Sequence, residues 1–441
     1  MSLSLPRKKI RLIQLVAIIF FTVSGGPYGL EPLLTYAGQH GAMLILLVTP
    51  LLWDVPAILT VMELNSMMPV TGGYYKWVKY GLGQRFGFYE GWWTWLYTFV
   101  DLAIYPVLFV GYATFFFPAL EYYKVPLYLL IIWGSAGLNI LGIMQVGKTS
   151  MLLSVLVLAP FLILFIFAAS TTGHHPLPAQ SLHGIPFPSL GMALYTVMWN
   201  CLGWDNITTY AQEVDKPVRS YLYAIVIAFG LVMILYALTL LVAQQSGISA
   251  AVLNDRGFPV LGIHYGGHWL GALLAAGGMA STLGIYAAVL LSVSRVPQSM
   301  ADDQLLPKAL HRLHPRFKTP YVSILICSSV VSLMVLWTFG ELLIIDVIVY
   351  GAGLSLEYIT LIKLRIREPD HVRPFKIPLN VMGLCVLLFL PVLVYVVALT
   401  GAFNSDGMGI KPALFAIGAL LTAEVAWRII KWRAAAAVKR Q

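Results

Sequence analysis

Apolar residues run through this chain in long blocks, separated by short joints that are polar or rich in Gly and Pro. Twelve blocks come close to the about 17–25 residues that an α-helix needs to cross a bilayer. They lie at roughly 11–37, 42–68, 87–117, 125–145, 147–169, 189–212, 221–243, 268–294, 320–338, 341–365, 379–400 and 410–432. The longest connections, about 170–188, 244–267 and 296–319, leave no room for a soluble catalytic or regulatory domain. The pattern predicts an all-α membrane protein, a single polytopic domain over 1–432 with a short basic tail over 433–441.

Two blocks carry a fault in the middle. The first is interrupted by Ser24-Gly25-Gly26-Pro27-Tyr28-Gly29-Leu30-Glu31 and the sixth by Asn200-Cys201-Leu202-Gly203-Trp204-Asp205-Asn206. Relative to Ala, Gly costs a helix interior about 1 kcal/mol and Pro about 3. Broken backbone at membrane depth persists only where protein buries it or where it lines a polar cavity. Paired breaks in corresponding positions of two halves mark the substrate site of a secondary transporter.

Composition agrees: 59% hydrophobic, 11% charged and a mean hydropathy of +0.81 lie far from a soluble domain. The net charge of +9 reports topology rather than a nucleic-acid partner. With the N-terminus in the cytoplasm and the sides alternating, Lys124, Arg256 and Lys411 are the three of 28 basic residues left outside. That is the positive-inside pattern, and it places both termini in the cytoplasm of a plasma or inner membrane. Basic residues precede the first apolar run, but no small-residue cleavage site follows, so a retained span is expected. Cys201, Cys327 and Cys385 lie inside blocks, which argues against a disulfide framework. The histidines, among them His174 and His175 of a Pro-rich outer loop, show no metal-ligand spacing. No metal or cofactor is expected, and the driving force would be a proton gradient.

A carboxylate at membrane depth costs about 2.5–3.5 kcal/mol and is by default a functional hypothesis. Glu31, Asp54, Asp101, Asp205, Asp346 and Glu357 sit at such depth, with few basic residues to pair with them. Glu63, Glu90 and Glu424 lie nearer block ends, where solvated or structural roles are expected. The surplus negative charge suits a cationic substrate, protons, or both. Asp205 follows the second break, where it serves a site or caps the half-helix that begins there. Asp101 shares a face with Tyr97 and Tyr105 at i−4 and i+4, an acidic, aromatic stripe suited either to an ammonium or to holding a neighbouring helix. Asp346 and Tyr350 repeat that spacing, with structure or gating favoured there.

Several motifs carry a family resemblance. They are Ser24 through Glu31, the run from Pro69 through Gly72-Gly73-Tyr74 to Trp77, Asp101 through Phe109, and Gly203-Trp204-Asp205. Glu213 through Pro217, Leu356-Glu357-Tyr358 and the basic Arg365-x-Arg367-x-Pro369…Arg373-Pro374-Phe375 add to these. Over nearly its whole length the chain resembles the amino acid–polyamine–organocation superfamily, and within it the plant-type polyamine uptake transporters related to L-type amino acid transporters. The resemblance implies a LeuT-like bundle of twelve helices, with inverted five-helix repeats over about 11–169 and 189–365 and two further helices over 379–432. It places substrate at the two breaks and at helices three, eight and ten, with uptake driven by protons.

The expected substrate contacts are Gly25, Gly26, Tyr28, Gly29, Glu31, Asp101, Tyr105, Trp199, Gly203, Trp204, Asp205 and Tyr286. Asp205 would pair with an ammonium or hold the proton, and Asp101 with Tyr105 would hold a second amine. Trp199, Trp204 and Tyr286 would stack on the alkyl chain or gate it. Asp205, Asp101 and Glu31 are the proton-coupling candidates. Amino acid carriers of the superfamily bind the substrate carboxylate with free amides at the first break; here Pro27 deletes one donor and Glu31 adds negative charge. Both changes favour an amine, and a polyamine has no carboxylate. Departures exist: plant-type acidic positions are matched here by Ala57, with Asp54 one turn away, and by an Ala-Val stretch after Tyr286. They leave open a diamine, or an amino acid permease or exchanger of cationic or neutral amino acids. The loop 118–126 has no cysteine for a disulfide-linked heavy subunit. An enzyme would need a nucleophile–base pair or a metal cluster at one depth, and no His/Cys cluster provides it.

Overall fold

In the computed structural model, residues 9–171, 179–336, 339–403 and 411–438 are described. Arg7, Lys8, His174, His175, Lys439 and Arg440 lie outside them. Helices form at every apolar block. The first block is divided into α1 (Leu12–Val23) and the start of α2 (Glu31–Leu52). Gly38, at φ +65°, turns the chain inside α2, so the second half of block one passes directly into block two without a loop. Block two continues after Trp53 as α3 (Asp54–Met67), the interruption falling between Pro50 and Pro56. A short α4 (Gly73–Leu82) leads into the long α5 (Gln84–Ala113), α6 (Lys124–Leu141) and α7 (Ile143–Ser170).

The second break follows α8 (Phe187–Trp199) and ends in two 3₁₀ turns, Asn206–Thr209 and Ala211–Glu213. Then come α9 (Pro217–Gln245), two short outer helices, α10 (Ala250–Arg256) and α11 (Pro259–Gly266), and α12 (His268–Val293). The chain closes with α13 (Arg295–Asp302), α14 (Tyr321–Met334), α15 (Phe339–Arg367), α16 (Val381–Phe403) and α17 (Lys411–Val438). Among the described residues, nine helical stretches are long and apolar enough to span a membrane, and α1 and α14 are shorter apolar helices.

The layering follows from which faces are apolar. α5, α12 and α15 are buried over most of their apolar length, and α5 packs against both of the others at the centre. α7, α16 and α17 leave most of theirs exposed, with Leu152, Ile166, Val386, Phe389 and Leu421 turned outward. In water such a belt would be a liability; against lipid tails it is the expected surface.

Charged clusters tie the helix ends together. Glu63, fully buried, accepts two hydrogen bonds from Arg365 at 2.5 and 2.6 Å and lies 3.3 Å from Arg373 Nε, joining α3 to the end of α15 and the segment after it. Asp303, just after α13, receives Lys76 at 2.7 Å, Lys79 at 2.8 Å and the Tyr75 hydroxyl at 2.5 Å. Partial burial pushes the Asp303 carboxyl up, but these donors outweigh it and leave its pKa below the usual carboxylate value. Near the same end, Ile10 pairs with Glu213 and Asp215 through the backbone, and the buried Arg295 holds Glu213 at 2.7 Å. The start of α1 is thereby latched to the end of the second break. A cavity of about 1080 Å³ opens beside this latch, lined by Lys9, Thr71, Lys76, Gln212, Glu213 and Arg295 among others, and it does not reach the acidic groups described next.

Candidate functional site

At the first break the backbone must turn in a space where side chains do not fit. A Cβ on Gly25, at φ +65°, would sit 2.9 Å from Ser281 Oγ of α12. One on Gly29, at φ +98°, would sit 2.6 Å from the Trp199 ring. Only glycine meets both demands, a positive φ and a close neighbour. Gly29 donates its N–H to Glu31 Oε2 at 2.6 Å, and Tyr112 donates to Glu31 Oε1 at 2.9 Å. Glu31 is buried and spends both oxygens on its own break and on α5. Its carboxylate thus takes up the Gly29 amide from within the chain.

The two breaks are stitched to each other. Asn200 Nδ2 donates to the Gly29 carbonyl at 3.1 Å, and the Tyr236 hydroxyl lies 2.7 Å from both Ser24 Oγ and the Asn200 carbonyl. Beyond Asn200, Gly203 donates its N–H to the Tyr350 hydroxyl at 3.3 Å, and that hydroxyl donates to Asp205 Oδ1 at 2.8 Å. Backbone amides of Asp205 and Asn206 also reach the Asp205 carboxyl. Asp205 stands at the N-cap position of the 3₁₀ turn without a side-chain capping bond, and its carboxyl stays on the α15 side, beside Tyr350.

α5 and α15 lie antiparallel, and their facing residues form matched rungs. Tyr97 and Tyr350 meet edge to face with centroids 5.3 Å apart, and Asn206 Nδ2 donates to the Tyr97 hydroxyl at 2.5 Å. On one side of this tyrosine pair, Asp101 faces Asp346. Asp101 accepts the Tyr105 hydroxyl at 2.5 Å and lies beside the Trp199 side chain, and Tyr105 stacks on Trp199 at 6.3 Å. Both Asp346 oxygens are buried with no hydrogen-bond donor. On the other side, Glu90 and Glu357 face each other and Asp205. Eleven residues separate Glu90 from Asp101, and eleven separate Asp346 from Glu357. At 1.5 Å per residue the two acidic rungs are about 16 Å apart.

No Lys or Arg among the described residues forms an ion pair with Glu31, Asp54, Asp101, Asp205, Asp346 or Glu357. All six are buried to at least nine-tenths. Unpaired charge in such surroundings is costly, and while Glu31 has a donor at each oxygen, Asp346 and Glu357 have none.

The structure brings Gly29, Asp101, Tyr105 and Trp199 together at one rung, and Gly203 with Asp205 beside Tyr350. It places three expected contacts elsewhere. Tyr28 turns toward α12 and α7, donating to the Leu274 carbonyl at 2.7 Å and packing on Tyr112 and Phe161. Trp204 donates to Asp54 Oδ1 at 3.2 Å and packs on Phe229, on the α3 and α9 side. Tyr286 lies beside Cys327 and Ser328 of α14, because Ser281 and Ile285 occupy the α12 face that meets Gly25. Gly26 donates to Ser24 Oγ at 3.0 Å and belongs to the turn itself.

Of the two roles expected for Glu90, solvated or structural, the solvated one does not hold: it is 1% exposed, since its position near a block end lies deep in the bundle. Glu63 is structural, as its end position suggests, and Glu424 is a surface group paired with Arg85 and Arg428. Asp346, for which the sequence favours structure or gating, is buried facing Asp101 with both oxygens lacking a donor. Its signal was present in the repeated acid–tyrosine spacing, at 101 and 105 and again at 346 and 350.

Comparison with known proteins accords with this architecture. A family model described as amino acid permease matches residues 10–418. A protein named polyamine transporter RMV1, from Arabidopsis thaliana, is 31% identical over 419 residues, covering 94% of this chain and 84% of the relative. Polyamine transporter PUT1 of Oryza sativa subsp. japonica is 32% identical over 393 residues, covering 87% and 72%. An uncharacterized transporter of Mycobacterium tuberculosis is 27% identical over 335 residues, covering 74% and 73%. With its broken helices, its lipid-facing belt and a match over nearly its whole length, the chain belongs to the amino acid permease family of membrane transporters.

Proposed function

We propose that this protein is a secondary active transporter that imports a cationic organic solute, a polyamine in the first instance, by proton symport with alternating access. The observation that carries the reading is the Asp101–Asp346 rung. Two buried carboxyls face each other there without a basic partner, and Asp346 has both oxygens open to a donor. Tyr105 and Trp199 wall the rung with aromatic surface, which favours an ammonium and its alkyl chain. Asp205 lies on the far side of the Tyr97–Tyr350 pair, where a second amine would be drawn. The relatives named polyamine transporters support the same class.

In this reading the twelve helical blocks form two inverted five-helix repeats plus α16 and α17. Both termini and the latched end lie in the cytoplasm of a plasma or inner membrane, and the rung with Asp101 faces the outside. The partners are the lipid bilayer and the small cation, without a disulfide-linked heavy subunit, nucleic acid, metal or cofactor. Closure of the latch between Ile10, Glu213 and Arg295 accords with a state shut toward the cytoplasm.

The second reading, an amino acid permease or exchanger, draws on the family description. It requires amides of the first break to take a carboxylate, and Glu31 already occupies the amide of Gly29. Uptake into proteoliposomes under an inward proton gradient tests both, with putrescine, spermidine, arginine, lysine and leucine offered in parallel. Polyamine uptake that collapses with the gradient is the expected result. Uptake confined to amino acids would overturn the first reading in favour of the second.

A further inference from the structure

We infer that Glu90 and Glu357 form a proton site of their own, linked to Asp205 and separate from the amine site at Asp101 and Asp346. The inference rests on the transport reading above. It stands on geometry. Glu357 is fully buried, and neither of its oxygens has a donor; Glu90 Oε2 is likewise unpartnered. The polar group within hydrogen-bonding reach of Glu357 is the Asp205 carboxyl, another acceptor. Two carboxylates cannot hydrogen-bond to each other; one must carry a proton and donate it. A carboxyl cluster this close, excluded from water, shares protons among its members.

Among the described residues, the surroundings supply no alternative cation. Tyr74 of α4, Tyr97 of α5, Tyr350 and Tyr358 of α15 and Asp205 of the second break are the titratable groups facing the cluster. Asp54 of α3 lies beyond Tyr358. The nearby arginines of the segment after Glu357, Arg365 and Arg373, are held by Glu63. Thr94 gives Glu90 Oε1 a long hydrogen bond of 3.5 Å, and a Cβ on Gly353 would lie 3.0 Å from the same oxygen. Gly353 thus leaves the room that lets Glu90 approach α15. The Tyr97–Tyr350 pair stands between this rung and Asp101, which keeps the two sites apart.

The step is a simple proton transfer. The O–H bond of Glu357 breaks as its proton passes to the Asp205 carboxylate, when Asp205 releases an ammonium. The Glu357 carboxylate left behind is reprotonated from Glu90 or the bulk.

Proteoliposomes separate this from a structural role by comparing proton-driven accumulation of labelled spermidine with its exchange against internal unlabelled spermidine at equal pH. In Glu357→Gln we expect accumulation to fall at least tenfold while exchange stays within twofold of the wild type, and Glu90→Gln to do the same more weakly. Glu357→Asp should recover part of the accumulation. Proton-driven accumulation at the wild-type level in Glu357→Gln would overturn the assignment, as would loss of exchange in well-folded protein, which would put Glu357 in the amine site. If the variant does not fold, the infrared carbonyl band of a protonated carboxyl in the wild type at neutral pH, shifted in Glu357→Asp, is the expected signature. An unchanged band in that variant would count against the inference. A wild-type protein without proton-driven uptake would instead defeat the transport reading itself.

Discussion

Single side chains here act mostly through what they lack. Asp346 has two buried oxygens without a donor, and in the reading proposed above an arriving ammonium supplies one. Truncating one partner of a buried charge pair costs about 2–5 kcal/mol, which is about 30-fold or more in affinity. Asp346→Asn is therefore expected to raise the apparent KM for spermidine about 30-fold, read from initial uptake rates. Glu31 works in the opposite way, by being satisfied. Its removal in Glu31→Ala frees the Gly29 N–H, a donor whose charge-assisted bond is worth about 1.5–3 kcal/mol. Arginine should then compete with spermidine about tenfold better than in the wild type, and an unchanged inhibition curve would rule out Glu31 as the occupant that blocks a carboxylate.

Helices and breaks set where those side chains stand. Both breaks and every apolar block were legible in the sequence, because Gly and Pro inside an apolar run leave a signal independent of tertiary context. Which way each break turns its aromatics was not. Trp204 and Asp205 are neighbours in the chain, yet one packs on Asp54 and Phe229 and the other on Tyr350. A broken segment has no period from which a face can be read. Glu90 escaped for another reason: its depth depends on α5 beginning at Gln84 and being covered by α15, a contact between distant parts of the chain. The tie between α3, the end of α15 and the segment after it is testable at this scale. Glu63→Ala leaves Arg365 and Arg373 buried without their partner, and breaking such a pair costs about 3–5 kcal/mol. A clearly lower unfolding midpoint in detergent is expected, with the variant's residual uptake showing an unchanged substrate preference.

The molecule as a whole is organised around the α5–α15 contact, which places two acidic rungs on either side of a tyrosine pair. The equal spacing of eleven residues on both helices has a consequence for how this protein can vary. Eleven residues are close to three full turns, so both carboxyls of each helix stay on the shared face. Adding one residue rotates everything beyond it by about 100°. A single Ala inserted between Thr98 and Phe99 would swing Glu90 off the face that carries Asp101, whereas a matched pair of insertions would still leave both rungs misaligned with the breaks. Loops elsewhere can lengthen at little cost. These two stretches, 90–101 and 346–357, are therefore expected to tolerate no change of length. A library of one-residue insertions along the chain, scored by growth on a polyamine, should show both as intervals without survivors.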